Sequence, residues 1–525
     1  MPPPSDISDW EKSGLMTPEK IRQRLYDQIV SYCFDENEHA ALREKFNSPV
    51  VGMNGIKHWD QAIFQNFLSE LSIPSSLPLL TEAGPILFSS AVYMSRFPFN
   101  TQPIRDLPSN LTYEDLLRAI FWVLPERASV DRTRTASDQR RIIFQSLADI
   151  SGDFGFDEEE EKKIAAQRAF QVVDHSRDWA LSNYDEEGDE MYHDILDVIS
   201  SSRMQFVEPS YSTYDRNDFR PLARRLATPT CLRQLAISRG RFKPLVKLLL
   251  AEHLNDGIQK PALQLAELEV AADHVVDTFC RGSGPDEVIT WQKFEWALSE
   301  RTPFLFFSLY RLYESLVRTS DDDSVNKYVA YPPQSVPSGH ILNLVTISQI
   351  LFTIDSTVAF DNPRLIYQYD DCQAASDVPT VSEVHDAIKF SPKESWDFRL
   401  LLVSGKSTSN GETVVFGAFL QGLGEEEKII PRQEDHLEGS LLFQLAPIHD
   451  VFRSNIGKKA WTVGSDNELC FGEKGQGFSM RFVDGLKRLN VIHKVGVHEE
   501  SIYQATEWRG SWEMEVEIDK VEVWE

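Results

Sequence analysis

No helix can run through residues 320–338. Asp321-Asp322-Asp323 is followed by Pro332-Pro333 and then by Pro337-Ser338-Gly339. Proline lacks the N–H that a helix interior needs and its ring collides with the preceding turn, so a helix arriving from the N-terminal side ends here. The hydrophobic period changes across this break, which means that the secondary structure changes with it. The chain therefore carries more than one core, in keeping with a length of 525 residues.

Before the break the period is helical. Thr17 caps and Pro18 opens a segment in which Ile21, Leu25, Ile29 and Cys33 recur every four residues along one face. Similar amphipathic stretches follow at 63–71, 115–123, 142–147, 245–254, 263–279 and 304–317. Residues 17–319 are predicted to be an all-α region behind a flexible N-terminus, 1–16. A Ser-, Pro- and Arg-rich stretch near 200–230, including Arg220-Pro221 and Arg224-Arg225, is a loop or a division between two helical lobes.

After the break come short runs rich in Val, Phe, Leu and Trp, at 399–403, 413–420, 440–445, 478–482 and 512–524, separated by glycine-containing turns. Phe478, Met480 and Phe482 alternate with Ser479 and Arg481, the pattern of a strand with one buried face. Helices are expected near 345–352 and 381–389. The fold class is thus an α+β multidomain chain: a helical region, a linker at 320–338, and a β-sandwich with a few helices at 339–525.

Lys and Arg total 53 against 81 Asp and Glu, a net charge of -28 that repels nucleic-acid phosphate and anionic headgroups. The five cysteines, Cys33, Cys231, Cys280, Cys372 and Cys470, form no C-x-x-C pair, and an odd number of scattered thiols suits a reducing compartment. No stretch is long and apolar enough to span a bilayer. Pro2 stands where N-myristoylation requires glycine.

Helix–loop–helix spacing raises the question of calcium. Leu111-Thr112-Tyr113-Glu114-Asp115 and Ile289-Thr290-Trp291-Gln292-Lys293 resemble the exits of EF-hand loops, with Ile56-Lys57-His58-Trp59 a looser version. Calcium needs oxygen ligands at loop positions 1, 3, 5 and 12 and a glycine at 6. Ile289 at position 8 puts Gly282, Gly284, Asp286 and Lys293 at the ligand positions, and Ile56 there gives Pro49, Val51, Met53 and Asp60. Neither set holds the ion. The frame Asp149, Ser151, Asp153 and Glu160 is the better candidate, although Phe154 replaces the glycine. The acidic cluster around Asp185 to Glu190 lacks ligand spacing and reads as solvated surface.

Catalytic signatures are missing: no G-x-S-x-G, H-E-x-x-H or Walker loop occurs. His436, His449, His493 and His498 lie in the β-rich part, where they are expected to be ordinary core or surface residues. Gly472 to Gly477 joins two β-like runs and reads as a turn, because a phosphate cradle needs a helix N-terminus behind it. Cys470 sits in an apolar, strand-like setting beside an acidic neighbour, which raises a thiol pKa and leaves it unreactive. No catalytic residue, cofactor or firm metal site is expected.

Four motifs in order resemble the TLDc domain of oxidation-resistance proteins: Val415-Phe416-Gly417-Ala418-Phe419, then Gly439-Ser440-Leu441-Leu442-Phe443 with Pro447, then Gly477-Phe478-Ser479-Met480, and Val521-Glu522-Val523-Trp524. The match covers about residues 339–525. Gln368-Tyr369-Asp370-Asp371-Cys372 departs from the family's small and polar turn. The aromatics are expected to pack a core, the small residues to permit close backbone approach, and Trp524 to close the sandwich. Glu522, between two inward-facing apolar residues, is expected to point outward and is the candidate for polar recognition.

A helical region of degenerate EF-hand character followed by a TLDc domain is similar to the fungal restriction of telomere capping protein 5 family and the mammalian mTOR-associated TLDc protein. That resemblance implies a non-catalytic, monomeric cytoplasmic protein that binds vacuolar proton-pumping ATPase subunits and modulates the pump's assembly or disassembly, reaching the vacuolar or lysosomal membrane through that partner. The net charge argues against contact with nucleic acid, and Pro2 departs from the N-terminal glycine of lipidated members. The alternatives are oxidative-stress protection through Cys470 or Cys372, and a calcium-responsive adaptor.

Overall fold

The computed structural model describes residues 5–48, 57–72, 76–100, 110–125, 127, 136–152, 154, 190–201, 214–227, 232–255, 264–282, 287–318, 339–354, 363–371, 380–389, 398–421, 440–455, 461–463, 468–473, 475–496 and 501–525. It divides into two compact units. One comprises Met1–Leu249, Gly284–Ser299 and Phe306–Tyr328; the other comprises Leu250–Ser283, Glu300–Leu305 and Val329–Glu525. The expected linker at 320–338 lies outside the described residues, as does the acidic cluster at 185–189.

The first unit is helical, with short strand pairs at the loop exits. Strand β1 (Trp59–Asp60) pairs with β2 (Asn110–Leu111), and β3 (Ile150–Ser151), β4 (Leu235–Ser238) and β5 (Val288–Thr290) form a second small sheet. Thr17 accepts from Lys20 N and starts the helix Pro18–Tyr32, which buries Ile21, Leu25 and Ile29 as its period predicts. Residues 1–16 are expected to be flexible, yet Ser5–Lys12 is a helix with Ile7 1 % exposed. The helix Leu77–Arg96 is legible in no period because it is apolar nearly all round and contains Pro85.

The second unit is built on one antiparallel ladder of ten strands. They are β6 (Leu365–Asp370), β7 (Phe398–Ser407), β8 (Thr413–Gln421), β9 (Leu441–Ala446), β10 (Asp450–Arg453), β11 (Trp461–Val463), β12 (Leu469–Glu473), β13 (Gln476–Val483), β14 (Arg488–Lys494) and β15 (Trp512–Trp524). The order is β10-β9-β8-β7-β15-β14-β13-β12-β11, with β6 also on β15. The expected sandwich is therefore a single sheet bent into two wings that share β15. That strand pairs with β14 through Trp512 to Glu517 and with β6 through Lys520 to Trp524. Phe452 of β10 stacks on Phe478 of β13 with ring centroids 3.5 Å apart, so the wings face each other.

Against β7, the pairing shifts between Ile518 and Lys520, leaving Asp519 as an extra residue. The bulge changes the phase of β15: Val516, Ile518, Val521 and Val523 all reach the core between the wings, together with Phe416, Phe478, Met480 and Phe482. A second core lies on the opposite face. It joins Leu254, Ile341, Leu342, Ile347, Ile350 and Leu351 to Leu400, Leu402, Phe419, Phe443 and Trp524. The helices Leu265–Cys280 and Leu344–Leu351 pack on this side. The sequence places Leu265–Cys280 in the helical region, but it belongs to the sheet unit.

Candidate functional site

Glu522 is 0 % exposed, which corrects the expectation that it points to solvent. Alternation does turn it away from Val521 and Val523, but the face it turns to is covered. One oxygen, Oε1, accepts from Ile341 N at 2.8 Å and His340 Nδ1 at 3.1 Å, and Oε2 accepts from Leu342 N at 3.1 Å and Trp524 Nε1 at 3.0 Å. Four donors around one buried carboxylate replace the water that it loses. The carboxylate thus fastens the segment leading into Leu344–Leu351 across the last strand, a structural task rather than recognition.

A second buried polar cluster joins β10 to residues 300–302 and 506–510. Asp450 Oδ1 accepts from Thr506 Oγ1 at 2.9 Å and lies 3.0 Å from Arg301 Nε, and Oδ2 accepts from Arg509 at 3.1 Å. The Arg509 guanidinium lies 4.8 Å over the Trp512 ring and also donates to Gln444. His493 is held by both nitrogens: Nε2 accepts from Thr506 N at 2.8 Å and Nδ1 donates to the Gly510 carbonyl at 2.7 Å. Its ring stacks on Trp512 at 5.1 Å. Burial pushes the imidazoles of His449 and His493 down to about 4, so both are neutral at physiological pH.

His449 meets Thr353 Oγ1 at 3.3 Å through Nε2, and its amide donates to the His274 carbonyl at 3.0 Å. His449 and His493 thus serve separate structural contacts; His436 and His498 lie outside the described residues. No group of three His, Cys, Asp or Glu suited to a metal occurs among the described residues. Burial raises the Cys470 thiol above its ordinary pKa, which lowers its thiolate fraction. Cys372 and Cys231 lie outside the described residues.

The motif residues divide between the two cores. Phe416 and Phe478 lie between the wings, while Phe419, Phe443 and Trp524 lie on the opposite face. A Cβ on Gly417 would run into the Phe443 ring and come within 2.7 Å of the Leu401 carbonyl oxygen. Gly477 has φ +60 and touches the Tyr503 carbonyl in the same sense. Pro447 follows a cis peptide in the turn between β9 and β10, and Gly439 lies outside the described residues. Glu473 pairs with Gln476, so the glycine-rich stretch is a hairpin turn.

The acids at the loop exits of the helical unit are engaged by the fold. Asp149 accepts from Ser238 N at 2.7 Å and Ser238 Oγ at 2.6 Å, and Ser151 lies in β3. Asp153 and Glu160 lie outside the described residues. Asp60 caps Gln61–Leu71 through Ile63 N, and Asp115 accepts from Thr112 and Arg118. Asp60 and Asp115 thus belong to helix-capping contacts, while Asp149 binds the chain to Ser238 at the end of β4.

No protein-family model matches the chain. Curated fungal proteins do, and three of them carry one name. Restriction of telomere capping protein 5 of Aspergillus clavatus is 25 % identical over 484 residues, covering 84 % of this chain and 72 % of that protein. The protein of that name from Coccidioides posadasii is 24 % identical over 488 residues, covering 83 % and 70 %. The one from Ajellomyces capsulatus is 23 % identical over 352 residues, 63 % of this chain and half of its relative's length. The longer alignments run through both the helical and the strand-rich parts.

The buried cluster around Asp450 has a mechanical consequence. Arg301 reaches it from a stretch flanked in sequence by residues of the helical unit, so the sheet unit holds together partly through a segment inserted far upstream.

Proposed function

We propose that this chain is a non-catalytic regulator whose strand-rich unit is a TLDc domain and whose partner is the vacuolar proton-pumping ATPase. The observation that carries the non-catalytic part is the engagement of three buried polar groups of the sheet unit. Asp450, Glu522 and His493 are each 0 % exposed and hydrogen-bonded to the chain's own donors and acceptors, an arrangement that holds a scaffold and offers no group to a substrate. The burial of β7, β8 and β9 on both faces and the order of the four motifs support the TLDc reading. The similarity to restriction of telomere capping protein 5 over most of the chain supports a helical region joined to such a domain.

The relatives' name concerns telomere capping, but a net charge of -28 opposes direct contact with DNA, so a protein partner fits better. An acidic surface also steers association toward basic patches, and that attraction weakens with salt. The protein then acts in the cytoplasm and meets the vacuolar or lysosomal membrane through the pump.

Tagged protein incubated with fungal lysate at low and moderate salt is expected to recover pump subunits, more of them at low salt. Recovery of none at either salt removes the proposal. Peroxide consumption by the purified protein that disappears on Cys470→Ser would instead restore the thiol reading.

A further inference from the structure

In the helical unit, strands β4 and β5 place Ile237 opposite Ile289, and each strand leads directly into a helix, Arg239–Glu252 and Trp291–Glu300. In a calcium-binding loop the backbone carbonyl of position 7 ligates the ion and position 12 supplies a bidentate carboxylate. With Ile289 at position 8, Val288 is position 7 and Lys293 is position 12. The structure brings these two together: Lys293 Nζ donates to the Val288 carbonyl oxygen at 3.1 Å. An ammonium thus engages the very carbonyl that would otherwise face a metal ion.

The paired loop repeats the inversion of charge. With Ile237 at position 8, position 12 is Arg241, whose guanidinium Nε donates to the Leu147 carbonyl at 2.8 Å. Its backbone amide donates to Ser238 Oγ, and that hydroxyl in turn donates to Asp149. Both positions that call for a carboxylate therefore carry a cation bonded to a main-chain carbonyl. A charge-assisted hydrogen bond from a covalently attached group holds its acceptor at any calcium concentration, since no free ligand enters the equilibrium.

We propose that tethered cations take the place of divalent metal in this loop pair, Lys293 on its own loop carbonyl and Arg241 on a neighbouring one. The β4–β5 bridge is thereby fixed in one calcium-independent conformation.

The test uses the full chain as wild type, Lys293→Met and Lys293→Arg, each in millimolar calcium and in EDTA. Thermal unfolding and amide exchange at Ile237, Val288 and Ile289 are the readouts. Wild type is expected to give the same midpoint and exchange rates in both solutions. Lys293→Met keeps the aliphatic stem but removes the charge, and is expected to lower the midpoint by about 2–4 °C and to speed exchange on the order of tenfold in both. Lys293→Arg is expected to restore both values. A wild-type midpoint that rises with calcium overturns the proposal, as does wild-type exchange in Lys293→Met or failure of the arginine to rescue.

Discussion

Replacing Glu522 by glutamine preserves the side chain's shape but turns one oxygen into an NH2 group facing donors. Whichever way the amide lies, either Ile341 N and His340 or Leu342 N and Trp524 Nε1 lose their acceptor. Glu522→Gln is expected to cost about 2–4 kcal/mol, read as a lower urea midpoint. An unchanged midpoint means that the carboxylate does not hold this segment. The sequence correctly shows which face Glu522 occupies. It conceals what covers that face, because the covering amide of Ile341 is 181 residues away in the chain. The buried histidines give a pH prediction at the same scale. Their folded pKa of about 4 lies below the ordinary value near 6.5, so the unfolded chain binds more protons in between. Their contribution is complete above about pH 6.5 and is lost as pH falls toward 4. Urea midpoints measured across that range should decline, and less steeply in His493→Gln.

At the level of the element, β15 shows how a strand accommodates one extra residue. Asp519 is the extra residue against β7, and the bulge absorbs it, so that Val521 and Val523 stay on the face of Val516 and Ile518 while Glu522 and Trp524 take the other. Deleting Asp519 places Lys520 next to Ile518 and restores strict alternation, so Val516, Ile518, Val521 and Val523 still share one face and every pairing with β7 is kept. The deletion variant is expected to keep cooperative unfolding and the near-ultraviolet signal of its packed aromatics. Loss of either would show that the sheet needs the bulge itself and not merely the register on its two sides. The strand itself is legible in the sequence, which predicts residues 512–524, because Val and Trp dominate it. Its bulge has no compositional mark. Nor is β14 legible: Arg488 to Lys494 mixes charged ends with Leu489, Val491 and His493, and its alternation is too short to stand out before its partners are known. The helix Pro18–Tyr32 is the opposite case, since cap, opening proline and period all agree.

For the whole molecule, the interleaving of the two units matters most. The chain passes between them at 249/250, 283/284, 299/300, 305/306 and 328/329. Residues 339–525 alone lack Arg301, which faces Asp450; Leu254, which packs in the second core; and Leu250, whose carbonyl accepts from Ser348. A fragment of 339–525 is therefore expected to be less stable and less soluble than one of 250–525, compared by urea unfolding and by yield in the soluble fraction. Equal behaviour would mean that the upstream segments are ornaments on a self-sufficient sheet. Composition and the proline break make such a boundary easy to read, while the upstream helix Leu265–Cys280 gives no sign in its own period of which core it will join. The shared strand β15 carries a further consequence, for biosynthesis. Until residues 512–524 emerge from the ribosome, the two wings have no common member, and the nascent polypeptide exposes apolar strand surface to neighbouring chains.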